Sequence, residues 1–383
     1  MAPPPSEDTA TLAAESRFAT EWTVKKRLAA SLTWLRENLF YSWPSTAITL
    51  ALCYVVARIG LALVDWAFAN AVWLVPSGAG GADTSACRAP EAGACWAIVA
   101  EKYRFILFGT YPYEQHWRPA LCILIFAALY AATTWRRMWG RTLALTWVVG
   151  AIAIGLLMWG GIGGLPLIPT ERWGGLAITL ILATFGLVSA FPLAILVALG
   201  RRSRLPAIRV LCVVYVEFIR GVPLISLLFM ASVVLPLFLP DGMTLDKLLR
   251  AQIAITLFAA AYLAEVVRGG LQAIPKGQYE AADALGLSYW QKMGLIILPQ
   301  ALRIVIAPLV NTFIAIVKDT SLVLVIGLFD LLGAGKMSAM EPAWQGFAIE
   351  AFLFCGLIYF VICFTMSRFS QRLEVDLRAS GNR

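Results

Sequence analysis

Lys318 and Asp319 stand side by side in IVKDTSL (316–322), inside a stretch otherwise apolar enough to cross a bilayer. Charges in hydrocarbon are expensive, and where they occur they face protein or a water-filled cavity. This pair offers a cation and an anion to a solute carrying a carboxylate and an ammonium, and Thr320 and Ser321 add hydroxyls. On a regular helix adjacent residues point about 100° apart, so the two charges cannot face one partner. Two other readings stand beside this one. The charges hold two helices together as a structural ion pair, or they lie close to the membrane interface.

Other chemistry-bearing residues are sparser. Glu217 and Arg220 are three apart near a span end, as are Glu265 and Arg268. That spacing suits a local bridge or a contact to the neighbouring polar loop better than a ligand site. Arg58 and Asp65 lie two turns apart on the first span, where packing against a neighbouring helix is the expected role. His116 is the single histidine, with no Cys or His near it in sequence, so no metal site is expected. Cys87 and Cys95 share one loop; they form a disulfide in an oxidising compartment or stay as two free thiols. Cys53, Cys122, Cys212, Cys355 and Cys363 fall in or near apolar spans and read as packing residues. No G-x-x-x-x-G-K-[ST] loop occurs, so the chain has no phosphate cradle of that kind.

The elements that position these residues follow from hydropathy. The 383 residues are 60% hydrophobic and 14% charged, with mean hydropathy +0.76. A soluble chain of that composition would expose a very large apolar surface. About 20 apolar residues make a helix that crosses the hydrocarbon layer. Eight such windows stand out, near 46–67, 119–134, 142–160, 175–199, 219–239, 251–268, 304–328 and 347–367. The fold class is therefore all-α and polytopic. The N-terminus is polar with no early apolar run, so no cleaved signal peptide is expected.

Basic residues orient the spans. Arg17, Lys25, Lys26, Arg27 and Arg36 precede the first; Arg136, Arg137 and Arg141 follow the second; Arg201, Arg202, Arg204 and Arg209 follow the fourth. Arg268, Lys276, Lys292, Arg303 and the tail arginines 368, 372, 378 and 383 fall on the same side. The opposite loops hold only Arg88, Lys102, Arg104, Arg118, Arg172, Lys247, Arg250 and Lys336. The richer side is cytoplasmic by the positive-inside rule, which puts both termini inside and His116 in an external loop. The net charge of +8 is then mostly a topology signal. Its spread over several loops argues against nucleic-acid binding.

One loop is unlike the others. QYEAADALGLSYWQKMGLIILPQ (278–300) is too polar to cross a membrane. Pro275 suits a first helical turn, and Gly286 stands where a C-cap glycine would end that helix. Ser288 and Gln291 make a capping box for a second short helix, apolar through Met293, Leu295, Ile296 and Ile297, which is expected to end before Pro299. Ala281, Ala282 and Ala284 leave little bulk, with Glu280 and Asp283 at the rim. The segment reads as a plug for a groove on another protein, or as a surface hairpin that merely joins two spans.

Glu280-Ala281-Ala282, then Gly286, Ile296 and Leu298-Pro299, resembles the EAA loop of permease subunits of ATP-binding-cassette (ABC) importers. YVEFIRGVPL (215–224), AEVVRGGLQAIPKGQYEAADALG (264–286), IVKDTSL (316–322) and WGGLAITLIL (173–182) resemble the polar amino-acid permeases of the histidine–glutamine type. The likeness covers about residues 173–370. The longer N-terminal part resembles the permeases of general L-amino-acid importers.

The resemblance implies a type I importer permease core in the last five spans, 173–370, with a cytoplasmic coupling loop at 275–300. Before it lie a cytoplasmic tail (1–44) with an interfacial helix around 23–40 that includes Trp22, Trp34, Leu35 and Phe40. Three extra spans (45–172) follow, with an external loop at 76–118; a cytoplasmic tail (371–383) closes the chain. It implies no enzyme activity and no cofactor in this chain, ATP and magnesium being used by a partner. The implied partners are an ABC ATPase dimer, an identical or homologous second permease, a periplasmic amino-acid-binding protein and the bilayer of a bacterial inner membrane. Two alternatives remain: an ATPase-independent transporter or channel for small polar solutes, and a membrane scaffold without transport.

Overall fold

The charge-free windows fold into helices in the computed structural model, which describes residues 30–31, 33–78, 81–240, 242 and 244–381. Seven helices among them are long and apolar enough to cross a bilayer, and a bent pair makes an eighth if counted as one span. The only sheet among the described residues is a hairpin of two short strands, Ser77–Gly78 and Gly81–Ala82.

The chain divides into two compact units, Met1–Val72 with Cys87–Ala94, and Trp73–Ala86 with Cys95–Arg383. In the first, helix α1 (Trp43–Val64) starts at a Ser42 cap and continues as a π turn over Asp65–Ala69. None of its residues is buried. Within this unit Arg58 and Asp65 are exposed, and Asp65 accepts from Asn70 Nδ2 at 3.0 Å. Of the interfacial helix expected around 23–40, residues 33–38 are helical, with Trp34 and Phe40 exposed; Trp22 and the basic residues 17–27 lie outside the described residues.

The second unit holds helices α2 (Ala97–Phe108), α3 (Trp117–Thr134), α4 (Arg141–Trp159), α5 (Gly175–Arg201), α6 (Pro206–Gly221), α7 (Leu224–Phe229) and α8 (Lys247–Ala273). It continues with α9 (Lys276–Ala284), α10 (Leu298–Ile304), α11 (Ile306–Asp319), α12 (Leu331–Met340) and α13 (Ala348–Gly381). Helices α5 and α8 form its centre, with 50% and 56% of their spanning windows buried. Small buried residues line both: Ala183, Gly186, Ala190, Ala194 and Ala198 on α5, and Ala251, Ala254, Ala260, Ala261 and Ala264 on α8. In a membrane, where apolar surface gains nothing by leaving lipid, such residues hold helices together by letting backbones approach closely.

Three sequence expectations change. The stretch 76–118 is no open loop. Its α2 buries Ala97, Ile98 and Ile106 and packs on α12, α5 and α13, with Lys102 paired to Glu341 at 2.6 Å. Glu101, Lys102 and Arg104 broke the apolar pattern that would have announced it. The span expected at 219–239 is broken: α6 and the run from α7 to Phe238 meet at 104°. Val222 is extended (φ −108°, ψ 132°) because the following Pro223 disfavours helical geometry there. Finally, Pro299 does not end its helix. A π turn over Lys292–Ile297 precedes α10, and Pro299 sits in the first turn of α10. The wider turn absorbs the missing donor, and a first turn needs none.

Two polar anchors set the outer parts. Arg118 is fully buried, and its Nε and Nη1 donate to Leu157 O (2.6 Å) in the last turn of α4 and to Pro166 O (2.9 Å) in the loop that follows. A guanidinium thus caps a carbonyl at the helix end and ties the following loop to it. Tyr111 donates to Met158 O at 3.0 Å, and burial pushes its hydroxyl up to about 12, so it stays a donor. At the start of α5, Gly175 has φ 65° and donates to Phe329 O at 2.8 Å. A Cβ there would come within 2.3 Å of the Leu107 backbone, and one at Gly109 within 2.4 Å of Gly174 Cα.

Candidate coupling loop and translocation path

The 275–300 segment folds as two helical pieces around a tight turn. Helix α9 ends in a Schellman turn: Leu287 N donates to Ala282 O (3.3 Å) and Gly286 N to Asp283 O (3.0 Å). Gly286 takes φ 69°, with open space where a side chain would start. Ser288 N then donates to Gln291 Oε1 at 3.0 Å, as a capping box requires. Asp283 and Lys292 form an ion pair across the turn.

The tip faces outward. Glu280, Ala281, Ala284 and Gly286 are exposed, as are Leu285 (74%) and Trp290 (66%). Ala282 and Ile297 are buried, Ile296 and Leu298 half-buried, and Pro299 exposed. The motif thus splits between an outer tip and an inner seam holding it to the spans.

Behind the tip lies a charge network of which sequence reasoning found only half. Glu265 and Arg268 pair as expected, Arg268 Nε donating at 3.1 Å. Glu217 and Arg220 do not pair with each other. Arg201 takes Glu217 (2.8 Å) and Glu265 (2.6 Å), and Arg220 approaches Glu265 at 3.8 Å. Beside it Arg202 Nη1 donates to Leu271 O and to Tyr279 Oη, both at 2.8 Å. Arg201 and Arg202 carried only a topology signal in the sequence; their partners are 64 and 77 residues away.

Lys318 and Asp319 close α11, which then tightens into a 3-10 stretch over Thr320–Ile326, ending at the left-handed Gly327. Lys318 is exposed and Asp319 half-buried, and neither makes an ion pair among the described residues. Thr320 is buried and its hydroxyl donates to Val317 O at 2.8 Å; Ser321 is half-buried.

A second polar cluster was missed by sequence reasoning. Asp330 caps α12, accepting from Gly333 N (2.8 Å), Leu332 N (3.2 Å) and the Tyr359 hydroxyl (2.8 Å). Burial pushes its carboxyl up, against the pull of those hydrogen bonds. Leu331 N donates to Thr179 Oγ1 at 3.0 Å, tying the cap to α5.

His116 is buried at the start of α3. Its Nε2 contacts Tyr111 O at 2.8 Å, between the Phe108 and Tyr113 rings. No group of three His, Cys, Asp or Glu suited to a metal exists among the described residues. Cys53, Cys122, Cys212, Cys355 and Cys363 are free thiols.

A multi-pass helical core with a protruding two-helix loop defines a membrane transport component, and the comparisons with known proteins agree. The family model for the binding-protein-dependent transport system inner membrane component matches residues 190–379. The chain is 47% identical over 346 residues to the inner membrane amino-acid ABC transporter permease protein YhdY of Escherichia coli, covering 90% of this chain and 92% of that protein. It is 38% identical over 415 residues to the glutamate/glutamine/aspartate/asparagine transport system permease protein BztC of Rhodobacter capsulatus, covering 91% and 94%. The L-cystine transport system permease protein TcyB of Bacillus subtilis is 36% identical over 207 residues, covering 52% of this chain and 84% of that protein.

The chain belongs to the family of polar amino-acid ABC transporter permeases, inner-membrane components of binding-protein-dependent importers. It is the multi-pass permease of an ATP-driven amino-acid importer and not its ATPase, and it binds no cofactor of its own. The readings as an ATPase-independent transporter or channel, and as a scaffold without transport, fall with this assignment.

Proposed function

We propose that residues 275–300 are the coupling loop of this permease, with α9 and the turn at Gly286 seated in a cleft of a separate ATPase dimer. Glu280, Ala281, Ala282 and Gly286 form the docking tip, and Ile296, Leu298 and Pro299 the seam that carries its motion to the spans. The observation that carries this reading is the exposed apolar tip, Leu285 and Trp290, held outward by a glycine-closed turn. Large exposed apolar side chains beside water mark a contact surface. A soluble binding protein delivers L-amino acids to the outer face, and a second permease, identical or homologous, completes the pathway. Both termini lie in the cytoplasm, on the side rich in Lys and Arg. The acids and amides in the name of one relative fit a polar L-amino-acid cargo.

The test is co-purification with the ATPase. Leu285→Asp places a charge in the proposed contact, and the ATPase is expected to be lost from the purified complex while the chain still inserts. Full co-purification of the variant would refute the docking surface.

Lys318 and Asp319, with Thr320 and Ser321, line the path between the two permeases in this proposal. The support is that neither charge makes an ion pair among the described residues of the chain. Cys87 and Cys95 are proposed to be joined as a disulfide on the outer face. Both are buried and neither is among the free thiols. Of the seven cysteines, five are expected to react with maleimide in the denatured, unreduced chain, and all seven after reduction. Seven reactive thiols before reduction would exclude the bond.

A further inference from the structure

Arg201 and Arg202 end the central helix α5, and their side chains serve different partners. Arg202 reaches the coupling loop. Its Nη1 donates to the Tyr279 hydroxyl of α9, with the guanidinium 5.3 Å above the Tyr279 ring, and to Leu271 O in the last turns of α8. The Tyr279 hydroxyl donates to the same Leu271 carbonyl at 2.9 Å. Arg201 turns toward the spans. Only 11% of its side chain is exposed, and it binds Glu265 on α8 and Glu217 on α6, the first arm of the broken span.

One short chain of charge-assisted bonds thus runs from α9 through the end of α5 to α8 and α6. Such bonds are stronger and more directional than neutral ones. The Arg201 guanidinium holds Glu265 and Glu217 in a fixed fork, one on each terminal nitrogen, so displacement of one partner moves the other. The α6 arm it reaches ends at the 104° bend, where extended Val222 and Pro223 leave the two arms free of a shared hydrogen-bond ladder.

We infer that Arg201 and Arg202, with Glu265 and Tyr279, are positioning residues that transmit the movement of the coupling loop to the bent span. The inference rests on the coupling-loop reading above. It differs from simple packing in its consequence. Packing residues change how much complex assembles, whereas a transmission element changes how strongly one site answers the other.

The experiment uses the whole importer, permease with ATPase, in proteoliposomes with the binding protein and a mixture of the standard L-amino acids. The readout is the ratio of ATP turnover with and without loaded binding protein. Tyr279→Phe removes one hydroxyl and leaves no buried charge, Arg202→Lys replaces the planar guanidinium with a shorter ammonium and keeps the charge, and Glu265→Gln breaks the inner link. In each, the ATPase is expected to co-purify while the ratio falls roughly tenfold, the scale of losing one charge-assisted bond.

An unchanged ratio in Tyr279→Phe and Arg202→Lys, with the complex intact, overturns the inference. If Glu265→Gln fails to assemble, those two variants decide alone. Failure of the coupling-loop reading is recognised separately, by a Leu285→Asp chain that still retains its ATPase.

Discussion

Gly286→Val is expected to abolish substrate-stimulated ATP turnover and uptake while leaving the spans inserted. The backbone at Gly286 is left-handed at φ 69°, and nothing stands within 4 Å of the position a Cβ would take. The substitution therefore meets no clash; the penalty is conformational. An L-residue in this region loses roughly 1–2 kcal/mol, and β-branching adds to it. The cheapest relief is to abandon the Schellman turn, which frees the bonds from Leu287 and Gly286 and re-aims α9 against the Ser288–Gln291 cap. Gly286→Asn separates this cause from others, because asparagine tolerates the left-handed region. That variant is expected to keep most of its activity. Normal stimulated turnover in Gly286→Val would count against any coupling role for the loop.

Lys318→Met and Asp319→Asn are expected to cut uptake by roughly tenfold or more with the complex fully assembled, since each removes one charge partner for a zwitterion. Among the described residues neither is spent on an ion pair, and the Thr320 hydroxyl beside them is turned to its own backbone. A structural pair would have shown a partner on a packed helix such as α13 or α8. The two variants are measured for assembly and uptake together. Unchanged uptake with full assembly in both sinks the path assignment, and lost assembly moves the pair to a structural role.

Much of the fold was legible because it depends on window length alone. Seven of the spans follow from apolar runs whose ends are fixed by Arg or by Gly and Pro. The turn at Gly286 was legible for a related reason: its glycine cap and Ser288–Gln291 box are local signals whose partners lie within a few residues. What was hidden depends on distant partners. Arg118 reads as a loop cation and is a buried tie between the end of α4 and the loop after it, because the carbonyls it serves are 39 and 48 residues further on. Glu217 reads as a partner for Arg220, and tertiary contact gives it to Arg201 instead. The Pro299 rule failed because a π turn removes the conflict on which the rule rests. The broken span could have been read from Val222-Pro223, a local signal that the search for one continuous apolar window passed over.

The glycines at 109, 174 and 175 bring two stretches of main chain to a separation that no side chain could occupy. What joins α2 to the head of α5 is therefore bare peptide against bare peptide. The α2 segment before residue 173 is not an appendage resting on a finished surface. Cutting the chain there would leave a groove shaped for a backbone, with the Phe329–Gly175 hydrogen bond at its edge.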